Sequence, residues 1–136
     1  CRNTDGRPVI TRAQLQRFGH RIRNADFVLL HTGWSRFWGR DEYLHDFPVP
    51  DEEAARYLAH FKLKGAGIDA ISFDPMGSGD YVIHKILLNA GMILVENLTS
   101  LDFLPEEEFL FCCFPLKIAD GDGSPVRAVG IVTSHE

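Results

Sequence analysis

His84 and Glu96 are the residues whose types and spacing in this sequence best suit chemistry. Apolar residues recur at helical spacing from 80 to 89, which predicts a short amphipathic helix that carries His84. The apolar run that follows predicts a strand from 92 to 96 that ends at Glu96. A helix packed back on that strand brings both side chains to one edge of the sheet. An imidazole and a carboxylate placed there form half of a divalent-metal site, or a base and its partner.

A structural role competes with this interpretation. His84 lies between apolar neighbours, so it also suits a core histidine that hydrogen-bonds to the backbone. Glu96 weakens that alternative, because burying a carboxylate without a cation, a donor or a proton costs several kcal/mol. The pair therefore favours a site over a simple core position.

Other polar and aromatic residues are weaker candidates. His31 follows a predicted strand, where side chains line sites in many α/β sheets, but a strand-end histidine without a role is the simpler interpretation. Trp34 and Trp38 suit either an aromatic wall for a flat substrate or a cover for the core or an interface. The Gly-Ser-Gly at 77–79 lacks the Gly-Lys-Ser/Thr of a phosphate-binding loop, and Ser78 lacks a nucleophile elbow, which leaves a flexible loop beside the helix.

The remaining pattern predicts alternating strands and helices. Thr11 and Asp51 suit N-caps, and the glycines at 65 and 67 are expected to end the helix that Asp51 begins. The predicted elements are helices at 9–23, from 51 and at 80–89, strands at 27–31, 68–73 and 92–96, tight helical turns at 98–104, and a hairpin of strands at 109–118 and 126–132. This order predicts one α/β domain with crossover helices and a parallel or mixed central sheet.

Composition narrows the class of protein. A chain of 136 residues with 45% apolar residues can bury roughly two thirds of its unfolded surface. The net charge of -5 argues against nucleic-acid binding, which needs basic patches, and no apolar run approaches the ~20 residues of a membrane helix. Cys112 and Cys113 lie in an apolar, strand-like run and are interpreted as reduced, partly buried thiols. They favour a reducing compartment, the cytoplasm.

Four segments together resemble a known family. They are Asp-Phe-Val-Leu-Leu-His-Thr-Gly-Trp at 26–34, Gly-Ile-Asp-Ala-Ile-Ser-Phe-Asp at 67–74, His84 with the two leucines after it, and Val-Glu-Asn-Leu at 95–98. The closing segment at 115–129 is similar to the family's final hairpin. The family is the cyclase family, which includes bacterial kynurenine formamidases and related metal-dependent hydrolases.

The resemblance implies a fold, a cofactor and a reaction. It implies a mixed α/β domain of the swivelling β/β/α type and a divalent metal, most often Zn²⁺ and sometimes Mn²⁺. It implies hydrolysis of the amide bond of a small molecule, an arylformamide or a cyclic amide, by a metal-activated water. His84 matches the family's downstream metal-ligand or site histidine, and Glu96 matches the carboxylate that helps hold the metal or its water. The resemblance therefore implies metal-binding and catalytic roles for both. A homodimer or higher homo-oligomer is also expected.

One departure from the family pattern is large. The principal metal motif, His-x-Gly-Thr-His-x-Asp-x-Pro-x-His, does not occur in this sequence, in which His31-Thr-Gly-Trp lacks the second histidine and the aspartate. Together with a first residue, Cys1, that is not methionine, this leads us to expect the C-terminal portion of such an enzyme, inactive by itself. The alternative is a cyclase-like fold without chemistry that serves binding or oligomeric assembly through its exposed aromatic residues.

Overall fold

A computed structural model describes residues 6–106 and 108–132 of the chain, and Cys1 lies outside them. The chain divides into two compact units, Cys1–Leu101 and Asp102–Glu136. Within the described residues, no helix is both long enough and apolar enough to cross a membrane. That all 136 residues act as a single domain stays a prediction.

The first unit alternates strands and helices, and the second contains a hairpin. The strands are β1 (Val9–Ile10), β2 (Phe27–Leu30), β3 (Val49–Pro50), β4 (Gly65–Ile68), β5 (Ile93–Val95), β6 (Leu110–Pro115) and β7 (Val126–Ile131). The α-helices are α1 (Arg12–Gln16), α2 (Gly19–Asn24), α3 (Glu52–Ala59) and α4 (Val82–Asn89), and short 3-10 helices occur at Trp34–Phe37, Asp41–Leu44 and Leu101–Phe103. The predicted mixed α/β class is confirmed, with parallel and antiparallel pairing in separate sheets.

β4 is the central strand of a three-stranded parallel sheet with the order β2-β4-β5. All four of its residues are buried. A Cβ atom at Gly65 would clash with the ring of Phe27, and one at Gly67 would lie 2.5 Å from Cδ1 of Leu98. Glycine at these two positions therefore lets neighbouring side chains cross the strand closely.

The packing of β4 explains two wrong predictions. The glycines at 65 and 67 do not end a helix, because they begin the central strand, and residues 69–73 form a loop instead of the predicted strand. Glycine signals a helix end or a close approach equally well in a sequence. Only the side chains of Phe27 and Leu98, which are distant in sequence, show which of the two applies.

The N-caps of two helices are confirmed. Thr11 and Gln14 form a capping box at the start of α1, and Asp51 Oδ1 accepts a hydrogen bond of 2.7 Å from the N–H of Ala54 in α3. The single helix predicted over 9–23 is wrong, however. Residues 9 and 10 form β1, which pairs in parallel with β3, and the remainder divides into α1 and α2.

The core of the first unit joins the sheet to α3 and α4. Fully buried apolar residues come from both layers. They include Ala66 and Ile68 of β4, Leu58 of α3, Leu87 of α4, and Phe73 of the loop between β4 and α4. Burying each of the larger side chains contributes about 1.5–3 kcal/mol. The same core thus holds both the strand ends and the helix that carries His84.

The hairpin predicted near the end of the chain is confirmed. β6 and β7 pair antiparallel, from Leu110 opposite Ile131 to Pro115 opposite Val126. The side chain of Leu104 occupies the space that a Cβ at Gly130 would need. Cys112 and Cys113, on β6, are half-buried thiols.

Candidate active site

The ends of the three parallel strands bring the candidate residues to one edge of the sheet. β2 is followed by residues 31–34, β4 by Asp69, and β5 by Glu96. Ligands of open α/β sheets bind in the crevice outside the carboxyl ends of the strands. This edge is therefore the place where a site is expected.

The structure brings His84 and Glu96 together. Nε2 of His84 lies 3.2 Å from Oε1 of Glu96, and both side chains are about one quarter exposed, at 23% and 28%. The same carboxylate oxygen accepts a hydrogen bond of 3.0 Å from the N–H of Phe73. Glu96 is thus half-buried, oriented by the backbone, and in contact with the imidazole.

Asp74, which we did not single out from the sequence, completes the group. Its side chain is 3% exposed, and its Oδ2 lies 2.7 Å from Nδ1 of His84. It also accepts backbone hydrogen bonds from Ile83 at 3.0 Å and from His84 at 2.9 Å, within the first turn of α4. The N-cap residue Tyr81 makes no side-chain capping bond, so Asp74 caps α4 from a distant position. Only the Asp-Pro that precedes a glycine-rich loop and a helix hinted at this in the sequence.

The two carboxylates change the protonation of His84. The hydrogen bond to Glu96 raises the pKa of His84 above its ordinary value of 6.5, the bond to Asp74 adds to the increase, and burial of the ring opposes it. Both ring nitrogens contact carboxylate oxygens, and the raised pKa of His84 favours the protonated form of the ring in the metal-free protein.

A second buried aspartate, also missed from the sequence, holds the turn after β2. Asp69 is fully buried, and its Oδ1 accepts hydrogen bonds from the N–H and the hydroxyl of Thr32 at 2.8 and 2.6 Å. Its Oδ2 accepts from the N–H groups of Gly33 at 2.7 Å and Trp34 at 3.1 Å. The Thr32-Gly33-Trp34 turn is thus shaped around one carboxylate.

The turn is connected through Tyr43 to Asn97, the residue that follows Glu96. The indole N–H of Trp34 donates to the carbonyl oxygen of Tyr43 at 3.1 Å, and the Tyr43 hydroxyl donates to Oδ1 of Asn97 at 2.9 Å. Burial, with the nearby charges of Asp69 and Glu96, raises the pKa of Tyr43 to about 12. Tyr43 is therefore a neutral hydrogen-bond donor beside the carboxylate.

The weaker candidates occupy different environments. Trp34 packs against the core, whereas Trp38 is 68% exposed and lies edge-on to the Tyr43 ring at 5.1 Å. His31 is exposed at the end of β2. The hydroxyl of Ser78 is buried and finds no hydrogen-bond partner in the described part of the chain. The sequence left two roles open for the tryptophans, and the structure gives the core role to Trp34 only.

The donors at this edge suit a divalent metal but are few. Two donors on one tetrahedral zinc at its usual bond lengths lie about 3.3 Å apart, close to the Nε2–Oε1 separation of His84 and Glu96. Asp74 bonds the opposite ring nitrogen, as the carboxylate partners of metal-binding histidines commonly do. Residues 6–106 and 108–132 contain no group of three or more His, Cys, Asp or Glu side chains arranged to hold a metal ion. The edge thus presents two adjacent side chains of the metal-binding types, one fewer than the three protein ligands of a typical catalytic zinc.

A separate cavity lies elsewhere in this unit. It has a volume of about 710 Å³ and is lined mainly by residues of α3 and α4, among them Arg56, His60 and Lys85. Neither His84 nor Glu96 lines it. The sheet edge that carries His84 and Glu96 and this groove between α3 and α4 are therefore distinct features.

Comparison with known proteins assigns the family. The sequence model of the Cyclase family, described as Putative cyclase, matches residues 2–75, which are more than half of the chain. Kynurenine formamidase from Erythrobacter litoralis is 35% identical over 129 residues, which are 95% of this chain and 58% of that protein. The chain belongs to the cyclase family.

Solved structures agree with this assignment. A potential metal-dependent hydrolase with cyclase activity superposes with a TM-score of 0.76 at 32% identity, covering 96% of this chain and 61% of that one. An isatin hydrolase bound to the product analogue thioisatinate superposes with a TM-score of 0.83 at 25% identity, covering 94% and 54%. The chain thus spans less than two thirds of the length of each of these three relatives.

Proposed function

We propose that this chain carries part of the active site of a metal-dependent hydrolase that cleaves a carbon–nitrogen amide bond in a small molecule. The contact of 3.2 Å between His84 Nε2 and Glu96 Oε1, at the carboxyl edge of a parallel sheet, is the observation that carries the proposal. Its chemical class is supported by relatives named kynurenine formamidase and isatin hydrolase. The substrate is accordingly an arylformamide or a cyclic amide.

His84 and Glu96 are proposed as the metal ligands, with Zn²⁺ as the favoured ion and Mn²⁺ as the alternative. When bound, such an ion lowers the pKa of a coordinated water to about 7 and polarises the amide carbonyl. The chain's own residues prepare the two donor atoms: Asp74 holds the imidazole by Nδ1, and the N–H of Phe73 holds Oε1 of Glu96. Because a metal-binding imidazole nitrogen carries no proton, metal binding at Nε2 of His84 would compete with protonation of that atom.

Two ligands set the expected strength of binding. Since a catalytic zinc typically takes three protein ligands, the 136-residue chain should bind the metal weakly and show little hydrolysis. The remaining ligands would come from the family's other metal motif, which this sequence does not contain. The proton donor to the leaving nitrogen would belong to that motif as well.

The first prediction tests the two ligands directly. The chain is titrated with Zn²⁺ in competition with a chromophoric chelator, alongside the variants His84→Gln and Glu96→Gln. Because each variant removes one of two donors, we expect the dissociation constant to rise at least about tenfold in both. His45→Gln is the matched control, since His45 also faces a carboxylate, Asp41 at 3.7 Å, but on the exposed surface. Binding that survives both site variants, or falls equally in the control, contradicts the proposal.

An assembly role is the second candidate, and one feature favours it. The second unit exposes large apolar side chains, with Phe103 at 81%, Phe114 at 64% and Leu110 at 61% exposure. Exposed apolar clusters commonly mark protein interfaces. A homodimer or higher homo-oligomer is therefore proposed beside the hydrolase, and sedimentation equilibrium distinguishes it from a monomer. The half-buried thiols of Cys112 and Cys113 support a cytoplasmic location.

A further inference from the structure

Asp74 makes more contacts than capping a helix requires. Asp51 caps α3 through one hydrogen bond, from the N–H of Ala54. Asp74 caps α4 through two N–H groups, of Ile83 and His84, and its Oδ2 also contacts Nδ1 of the His84 ring. One carboxylate oxygen therefore binds both the backbone and the side chain of the same histidine.

This double contact restricts the orientation of the ring. With the His84 N–H and Nδ1 both bonded to Oδ2 of Asp74, the two side-chain torsions that turn the imidazole have little freedom. The rings of Phe73 and Tyr81 meet the imidazole edge-on, with centroids at 6.3 and 5.9 Å. Nε2 is the ring nitrogen left to face Glu96.

The backbone beside the ring is held in an uncommon conformation. Tyr81, the N-cap residue of α4, has a φ of 45°, in the left-handed region that residues other than glycine rarely adopt. Such conformations persist where surrounding contacts over-determine them. The buried Asp74 binds the N–H groups of the two residues at 83 and 84, immediately after this position.

We infer that Asp74 is a positioning residue for the candidate metal site, which begins α4 and aims Nε2 of His84 at the metal through its bond to Nδ1. The inference rests on the proposed function of His84 and Glu96. If Asp74 only capped α4, its loss would weaken metal binding only by unfolding the helix. The inference predicts that loss of Asp74 weakens metal binding even where α4 remains folded.

The test compares two helix-capping aspartates on the full 136-residue chain. Asp74→Asn keeps the size of the side chain, but an amide cannot accept at both oxygen positions. Since partners of metal-binding histidines are worth about 10–100-fold in affinity, we expect the Zn²⁺ dissociation constant to rise at least about tenfold. Asp51→Ala removes the cap of α3 and should leave the dissociation constant within about twofold, because Asp51 contacts no candidate ligand.

The state of the ring provides a readout that capping by itself does not change. In the Zn²⁺-bound wild-type chain, nuclear magnetic resonance of the His84 ring should show a hydrogen-bonded proton on Nδ1 that exchanges slowly with water. In Asp74→Asn the acceptor is a neutral amide, which binds the Nδ1 proton more weakly, so that proton should exchange faster. This measurement on the wild-type protein stands even if the variant fails to fold. A rapidly exchanging Nδ1 proton in the bound wild type would overturn the inference.

The outcomes separate the inference from the proposal beneath it. If His84→Gln weakens Zn²⁺ binding and folded Asp74→Asn does not, Asp74 serves only as a helix cap. If His84→Gln leaves the dissociation constant unchanged, the metal site itself is refuted. A loss of affinity in His84→Gln and Asp74→Asn, with none in Asp51→Ala, supports both.

Discussion

Asp69 and Asp74 are five residues apart and both are buried, yet their surroundings give them different roles. Asp69 accepts four hydrogen bonds from the turn at residues 32–34, and none of them comes from a titratable group. Asp74 accepts two backbone hydrogen bonds and a third from an imidazole. The first carboxylate shapes a turn, whereas the second connects the backbone to a residue that can do chemistry.

The comparison shows what separates a buried carboxylate with a structural role from one that orients a residue capable of chemistry. A buried carboxylate must be satisfied in either case, because leaving it without donors costs several kcal/mol. When backbone N–H groups are the donors, the carboxylate is satisfied and no reactive side chain is oriented by the contact. A histidine donor adds a second ring nitrogen, which is oriented by the first and faces Glu96. The type of donor, not the burial of the acid, therefore distinguishes Asp74, beside the proposed site, from Asp69.

The largest expected effect is on stability, and it tests the difference between Asp69 and Asp74. Asp69→Ala leaves four donors without their acceptor, and we expect the free energy of unfolding to fall by about 3–5 kcal/mol. Asp74→Ala removes fewer bonds, so we expect a smaller loss of about 2–3 kcal/mol. Urea denaturation followed by circular dichroism measures both. An equal or larger loss for Asp74→Ala would contradict the order.

A smaller effect concerns the link between the two regions. Tyr43→Phe removes the hydroxyl that donates to Asn97 and should lower the free energy of unfolding by about 0.5–1 kcal/mol. Because no proposed ligand is touched, the Zn²⁺ dissociation constant should change less than about threefold. A tenfold change measured by chelator competition would mean that Tyr43 helps to position Glu96.

The smallest expected effect is the pH dependence of stability, which tests the contacts of His84 with Glu96 and Asp74. The pKa of His84 is raised in the folded protein above 6.5, chiefly by Glu96, so the folded state binds the proton more tightly than the unfolded state does. Its contribution to stability is fully present below pH 6.5 and is lost as the pH rises through the raised pKa. In metal-free protein, the free energy of unfolding of the wild type should exceed that of His84→Gln by less and less as the pH rises through the raised pKa of His84.

The control for this measurement is Tyr43→Phe, which keeps all three groups of the His84 cluster. Its stability should follow the same pH dependence as the wild type, displaced by a constant amount. A difference between wild type and His84→Gln that grows with pH would show that the imidazolium is not stabilised between Asp74 and Glu96.

Several parts of the fold followed from local signals. The caps at Thr11 and Asp51 depend on neighbours within a few residues, and the helix that carries His84 and the closing hairpin show in the apolar periodicity and the turn residues. The glycines of β4 were misread, because their reason lies in side chains far away in the chain. The long helix expected at 9–23 failed similarly, since β1 forms only by pairing with β3.

The sequence by itself determined which residues form the candidate site and which helix and strand carry them. It placed an imidazole on a short helix and a carboxylate at the end of the next strand, and the family resemblance attached a chemistry to that pair. The roles of His84 and Glu96 in binding a metal stay predictions that the proposed titrations test.

The tertiary structure alone decided which acids matter and how. Asp69 and Asp74 both look like ordinary loop aspartates, because hydrogen bonds to residues 37 and 10 positions away leave no periodic trace. Folding removes water from both, and each then binds whichever donors the packed strands and α4 present. For Asp74 one of those donors is the ring of His84, and that contact exists only once helix and loop are packed together.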